Sequence, residues 1–552
     1  LLEETASGGN WSPGSGAQSD PEARQRRWRF TSRLPLTPRT GSLALWRIMN
    51  LPSRLTFSLT CALAAAASVA QAELKLPPMF SDNMVLQREQ PVRIWGWDND
   101  GVPVVVKFRG QTVKTTTANL AWQLALKPLK PGGPDTLTIS TPTQTITYTN
   151  VLVGDVWVCS GQSNMEWPLK SAFNPEPDLA SATNSRIRLF KVPKSRTDTP
   201  TSVIKSAWEV CTPQGAEGFS AVGYYFGRDL ERDLNVPIGL IGTYWGGTPA
   251  ESWMSRDALE INPRYVKEIL EPSSAAVTNW KKSLEAWQKE KAEAEKAGTA
   301  FNKRAPGQPW GGFELYNGMI APLLPFTIKG AIWYQGESNS GRAEQYRTLF
   351  ADMIRNWRRD WGQGDFPFLL VQLAPFKDIQ SQPGESSWAE LREAQLLATQ
   401  VLPKVGMAVI TDVGEEKDIH PRKKQPVGAR LALAARSLGH GQKVAYSGPV
   451  YRSSKTDGNR IVLRFDHVGK GLEARDGELK GFAVCGEDRK WVWAKAEILL
   501  DNTIAVSSPE VAQPVAVRFG WADFPVVNLW NKDGLPATPF RTDDFPLTTV
   551  AK

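Results

Sequence analysis

Five apolar runs of strand length recur through residues 151–440 with long stretches of helical character between them. This alternation constrains the fold more than any other feature. The runs are VLVGDVWVC (151–159), VPIGLIGTYW (236–245), FTIKGAIWY (326–334), FPFLLVQLA (366–374) and KVGMAVITDV (404–413). Continuous apolar runs, rather than alternating ones, belong to strands covered on both faces, so the expectation is an α/β domain with a parallel sheet between helices. On either side the texture changes to short β-branched runs broken by Gly, Pro and Asn-Asp turns, such as PVRIWGW, VPVVVKF and DTLTIST before residue 150 and NRIVLRFDHV and QPVAVRFGW after 440. Those patterns predict an N-terminal β domain over 73–150 and a C-terminal β region over 441–552. Within the α/β part, about 262–309 shifts to Lys, Glu and Ala, and Trp280, Leu284 and Trp287 fall at helical spacing in WKKSLEAWQKEKAEAEKAG. A surface helical hairpin is expected there, with a lid over the site as the alternative.

A chain of 552 residues is too long for one core, and 41% apolar residues with 22 tryptophans exclude a disordered chain. Residues 49–72, MNLPSRLTFSLTCALAAAASVAQA, combine Arg54, an apolar middle and an A-x-A ending at Ala72, the pattern of a secretory signal. The expected location is therefore secreted or periplasmic, with no membrane segment after cleavage. Residues 1–48, rich in Arg, Ser, Pro and Gly, read as a non-native or disordered leader. Without the eight basic and four acidic residues of 1–72, the formal charge drops from +8 to +4, from 57 basic and 53 acidic residues. That small excess, with no nucleic-acid-binding motif, argues against a nucleic-acid partner. Cys61 lies in the signal, and Cys159, Cys211 and Cys485 are too scattered for a metal box or a disulfide framework. Nothing in the sequence sets an oligomeric state.

In open α/β sheets ligands bind beyond the carboxyl ends of the strands, so the residues after each run are the candidates for chemistry. After the first run come Gly161, Gln162, Ser163 and Asn164; after the second, Gly246 and Gly247; after the third, QGESNS from Gln335, with Glu337 and Asn339. The fifth is followed by GEEKDIHPRKK, with Asp418 and His420. A serine hydroxyl needs a neighbouring base, and the base an orienting acceptor, before it attacks an ester. Of three histidines, His440 and His467 sit where solvent exposure or strand packing is expected, and His420 alone follows a strand with an acid two residues before it. The chain has no H-E-x-x-H, no C-x-x-C and no phosphate-binding glycine loop, so no metal site and no cofactor are expected. A non-catalytic glycan-binding protein is the reading from a different class, on the flanking β regions and tryptophan content.

CSGQSNMEWPL, GLIGTYWGGTPAESW, LYNGMIAPLLPFTIKGAIWYQGESN and DIHPRKKQPVGARLALAAR, with LPPMFSDNMVLQ and NLWNKDGLPATPFRTD near the two ends, resemble the sialate O-acetylesterase family of carbohydrate esterases, which are SGNH hydrolases. The resemblance implies an SGNH-like sheet sandwiched by helices and removal of O-acetyl groups from an acetylated sugar, either sialic acid, acetylxylan or another. It implies Ser163 as nucleophile, His420 as base, and oxyanion donors from Ser163, Gly246 or Gly247 and the Gln335 amide. Asp418 stands two residues before the histidine where the wider pattern has three, which leaves a backbone carbonyl, Glu415 or Glu416 as alternative partners of His420. Gln162 and Asn164 flank the serine as possible substrate or loop contacts. Glu337 and Asn339 are expected to brace their own loop, with contact to sugar as the alternative. Arg392 and Gln395 in WAELREAQL either face the crevice or form a helix-surface pair. Trp167 and Trp245 either offer a face to sugar or fill the core.

Overall fold

The computed structural model describes residues 73–550, so the leader and the signal segment lie outside the described residues. The strand β1 (Thr145–Gly161) changes character along its length: its first six residues alternate in exposure, and from Val151 onward every residue is buried. The alternating half pairs antiparallel with Gly132–Ser140 in the N-terminal β region, and the buried half enters the central sheet. The expected boundary at 150–151 therefore falls inside one strand, at the point where one-sided burial becomes two-sided.

The central sheet adds β2 (Asn184–Lys191), β3 (Trp208–Cys211), β4 (Ile238–Tyr244), β5 (Gly330–Tyr334), β6 (Phe368–Val371) and β7 (Val405–Ala408). Its order is β7-β6-β5-β1-β4-β2-β3, and every neighbouring pair is parallel except β2 with β3. β2 and β3 are absent from the five apolar runs. NSRIRLFK carries two arginines, but Arg188 is buried in the structure, with its guanidinium donating to Asn150 Oδ1.

Side chains alternate across the sheet with the two-residue period of a strand. Trp157 and Cys159 pack with α2 (Ala221–Leu234), and Val156 and Val158 belong to the core that holds Trp333 and α4 (Ala343–Trp361). α5 (Ser387–Val401) joins α4 on that face, and α6 (Gln425–Ala434) joins α2 on the other. Between these in sequence lies α3 (Glu271–Lys296). The local sequence explains the helix ends: Ser220 Oγ accepts from Gly223 N at the start of α2, and Asn235 stops it in the left-handed conformation. Gly362 ends α4 in the same way.

The expected helical hairpin over 262–309 is one continuous helical run, Pro263–Tyr265 and a wider turn Val266–Leu270 leading into the 26-residue α3, with a return segment that has no regular structure. Pro306, Gly307 and Pro309 stop the return segment from becoming a second helix. It is held to α3 by two indole bonds, from Trp280 Nε1 to Pro306 O and from Trp287 Nε1 to Lys303 O, both 2.9 Å. After 440 the chain forms antiparallel sheets, the largest from Val450–Asp457, Arg460–Asp466, Ile504–Ser507 and Lys495–Ile498, around their own core of Leu463, Phe482, Phe519 and Phe540. Cys159, Cys211 and Cys485 are buried and unbridged. No described helix is long and apolar enough to cross a membrane.

Candidate active site

β1, β4 and β5 end level with one another, because Gly161 pairs with Tyr244 on one side and Tyr334 on the other. A side chain at 161 would place its Cβ 2.2 Å from Tyr334 O, and φ is +138°, so the strand can finish this close to β5 only with glycine. The chain then turns at Gln162 into the short helix α1 (Ser163–Glu166), which puts Ser163 at the first helical position with its N–H facing no acceptor among the described residues. His420, brought in by the loop after β7, places Nε2 2.8 Å from Ser163 Oγ across 257 residues of sequence.

The imidazole is held from two directions. The Trp167 ring stacks on it with centroids 5.2 Å apart and planes 19° apart. Asp418 Oδ1 accepts from the His420 backbone N–H at 2.8 Å and lies 3.5 Å from Nδ1. Glu415 and Glu416 are engaged elsewhere, accepting from Arg422 N and Ile379 N. Burial lowers the His420 pKa below the ordinary imidazole value, the Lys424 ammonium lowers it further, and Asp418 opposes both. The net effect favours the neutral ring, the form that accepts a hydroxyl proton.

Of the glycine pair, Gly246 is already engaged: its N–H donates to Glu166 Oε2 at 2.7 Å, and Glu166 Oε1 lies 2.5 Å from Lys194 Nζ. Gly247, exposed and in the left-handed region at φ +74°, has an N–H with no acceptor among the described residues. The expectation for Gln335 is corrected. Its side chain is fully buried, and its amide donates to Thr248 O at 3.2 Å and Asn339 Oδ1 at 2.6 Å while accepting from Tyr346 Oη at 3.0 Å. With both hydrogens spent on loop contacts, it offers none to an oxyanion.

The remaining candidates are hydrogen-bonded into the loops around the serine. Gln162 Oε1 accepts from Gly336 N and Ser338 N, tying the serine turn to the loop after β5. Asn339 bridges Ala250 N and Glu251, and Gln395 joins Gln335 O to Leu373 N. Arg392 neither faces the crevice nor pairs with Gln395 on the helix surface. It is fully buried and donates to four carbonyls, of Leu373, Ala374, Ala522 and Asp523. Asn164 donates to Glu337 Oε1 and Ile419 O, and its Oδ1 accepts from Lys424 Nζ.

Lys424 is a residue the sequence reading missed, because a lysine opening a helix beside Lys423 looks like surface charge. Burial pulls its pKa down to about 7, and the same desolvation raises that of Glu337. Trp245 meets Trp310 edge to face at 5.3 Å, so the end of the 299–310 return segment lies against the strand end that carries Gly246. His440, for which solvent exposure or strand packing is expected, instead has its side chain only 8% exposed with Nε2 3.2 Å from Asp155 Oδ2. Asp155 lies at the other end of the parallel strands from Ser163, where β4 begins. No group of three or more His, Cys, Asp or Glu among the described residues is placed to hold a metal ion.

A parallel sheet whose central strand delivers a serine to a histidine at its carboxyl edge has the arrangement of a serine hydrolase, and comparison with known proteins gives the class and the family. A family model described as carbohydrate esterase, sialic acid-specific acetylesterase, matches residues 292–437, the part containing Gln335 and His420. Sialate O-acetylesterase of Rattus norvegicus is 30% identical over 515 residues, covering 84% of this chain and 93% of that protein, and the Homo sapiens enzyme is 30% identical over 512 residues, covering 84% and 91%. The crystal structure of a carbohydrate acetylesterase from Xanthomonas citri superposes with a TM-score of 0.74 at 38% identity, covering 86% of this chain and 100% of that one. The chain belongs to the sialate O-acetylesterase family and is a carboxylic ester hydrolase.

Proposed function

We propose that this protein removes O-acetyl groups from sugars through an acetyl-enzyme on Ser163. The observation that carries the reading is the 2.8 Å approach of His420 Nε2 to Ser163 Oγ. His420 takes the hydroxyl proton as Oγ attacks the acetyl carbonyl, then gives that proton to the departing sugar oxygen. In the second half, His420 takes a proton from water, the water oxygen attacks the acetyl group, and the proton returns to Ser163 as acetate leaves. The developing oxyanion is met by the N–H of Ser163, at a helix start, and by that of Gly247, each worth ~2.7–4 kcal/mol in the transition state if placed as in known oxyanion holes. Asp418 orients the imidazole through Nδ1.

The relatives named above act on sialate or on carbohydrate, which supports an acetylated sugar as substrate. Sialate is our first choice, and acetylxylan or another acetylated sugar the alternative. Export through residues 49–72, with Glu73 as the mature N-terminus, completes the reading. Acetate release from acetylated sialic acid and acetylated xylan, measured with a chelator present, tests it. Acetate from either supports sugar deacetylation and selects the substrate. Glycan binding without acetate would favour a binding protein, and activity lost to the chelator would require a metal.

A further inference from the structure

The loop 376–386, which follows β6, and two turns of the C-terminal β region enclose a cavity of about 220 Å³ that neither Ser163 nor His420 lines. Three of the large apolar side chains that stand exposed on this protein, Ile379, Trp493 and Val526, gather around it. Trp493 is 44% exposed, yet its ring is fixed, because Nε1 donates to Ser381 O at 2.8 Å. An indole whose polar edge is satisfied and whose face remains open is a preorganised stacking surface. Trp521, also in the wall, is nine-tenths buried and its Nε1 has no acceptor among the described residues. A buried donor left without an acceptor weakens the fold around it.

The charges around the cavity are already matched. Asp523 pairs with Lys377 at 2.7 Å and accepts from Ser386, and Glu385 pairs with Arg518 at 2.8 Å. Among the described residues, no lysine or arginine lines the cavity to meet an anionic ligand. What remains is the open face of Trp493, the amide of Gln382 and the carbonyl end of the Gln380 amide, whose nitrogen donates to Asp378 O at 3.1 Å, groups that suit the alternating apolar faces and hydroxyls of a sugar ring. The volume lies below the ~300–1,000 Å³ of sites for drug-sized ligands, which fits a single ring with the chain passing outward. The same loop is bonded to the turn that carries Asp418: Lys377 N donates to Glu416 O and Ile379 N to Glu416 Oε1.

We propose that this cavity is a second, non-catalytic binding site for a neutral glycan chain, with one ring stacked on Trp493. It would hold a polymeric substrate on the enzyme while acetyl groups are removed elsewhere on the chain.

Titration calorimetry of the whole protein with xylohexaose and with cellohexaose, neither of which carries an ester, tests the proposal. Turnover of a small chromogenic acetyl ester reports separately on Ser163. The expected result is one binding site for at least one of the two oligosaccharides, weakened about tenfold or more by Trp493→Ala and nearly retained by Trp493→Phe, with ester turnover unchanged in both variants. Absence of binding by either oligosaccharide at millimolar concentration would overturn the proposal, as would binding indifferent to Trp493→Ala. Neither result would bear on the esterase reading.

Discussion

The Trp167 indole lies flat against the His420 imidazole, 5.2 Å between centroids and 19° between planes, and so shields one face of the base from water. Burial is the largest influence holding the His420 pKa below its ordinary value. If only the neutral ring accepts the Ser163 proton, kcat/KM rises with pH through that depressed pKa and is level above it. Trp167→Ala rehydrates the ring, so its pKa climbs and the acid limb moves to higher pH. Trp167→Phe keeps a flat apolar cover and should leave the limb near its wild-type position. The pH profile of kcat/KM for the three proteins checks this, and an unmoved limb in Trp167→Ala would remove the stacking from the explanation.

Lys424 and Glu337 meet through Asn164 beneath the serine, and burial pushes their pKa values toward each other. Removing one charge strands the other, at ~3–5 kcal/mol for a truly buried pair. Lys424→Met should therefore destabilise strongly, and adding Glu337→Gln should recover part of the loss, a coupling of ~0.5–3 kcal/mol in a double-mutant cycle. Urea unfolding of the four proteins measures it; strict additivity would mean the two groups do not sense each other. Since the Lys424 cation also depresses the His420 pKa, Lys424→Met should move the acid limb to higher pH.

Asp418 serves the backbone N–H of His420 more closely than its ring, at 2.8 Å against 3.5 Å, and about half of its side chain is exposed. Water weakens an ion pair in that position. Asp418→Asn should lower kcat on the order of 10²-fold, short of the ~10⁴-fold loss in the best-studied buried triad. A near-normal kcat would leave Ser163 and His420 as a dyad, and a full 10⁴-fold loss would mean that substrate seals Asp418 from water.

Gln335→Ala separates a donor to the oxyanion from a brace of the loops. Its amide serves Thr248, Asn339 and Tyr346, so truncation should reduce stability by ~1–3 kcal/mol for each group left buried without a partner. The accompanying loss of kcat should be below the ~10²–10³-fold of a lost oxyanion donor. An unchanged Tm with a loss in that range would restore Gln335 to the oxyanion hole.

The central strands and the loops after them were legible because two-sided burial writes itself as continuous apolar sequence, as in Trp157–Cys159 and Ile332–Tyr334. β2 was not, since Arg188 hides a buried strand behind a charge that the Ser185 carbonyl and Asn150, 38 residues away, help to satisfy. Ser163 and His420 stood out because few histidines follow a strand. The partners of Gly246 and Gln335 were illegible for a different reason: a free N–H and an occupied one have the same sequence, and Glu166 and Asn339 decide between them through folding alone. The return segment after α3 was misread because a helical run says nothing about whether the chain comes back as a helix.

The most direct measurement is kcat of Ser163→Ala on a chromogenic acetyl ester, beside wild type at equal Tm. The expected result is a fall of ~10³-fold or more. A kcat within about tenfold of wild type would contradict an acetyl-enzyme on Ser163.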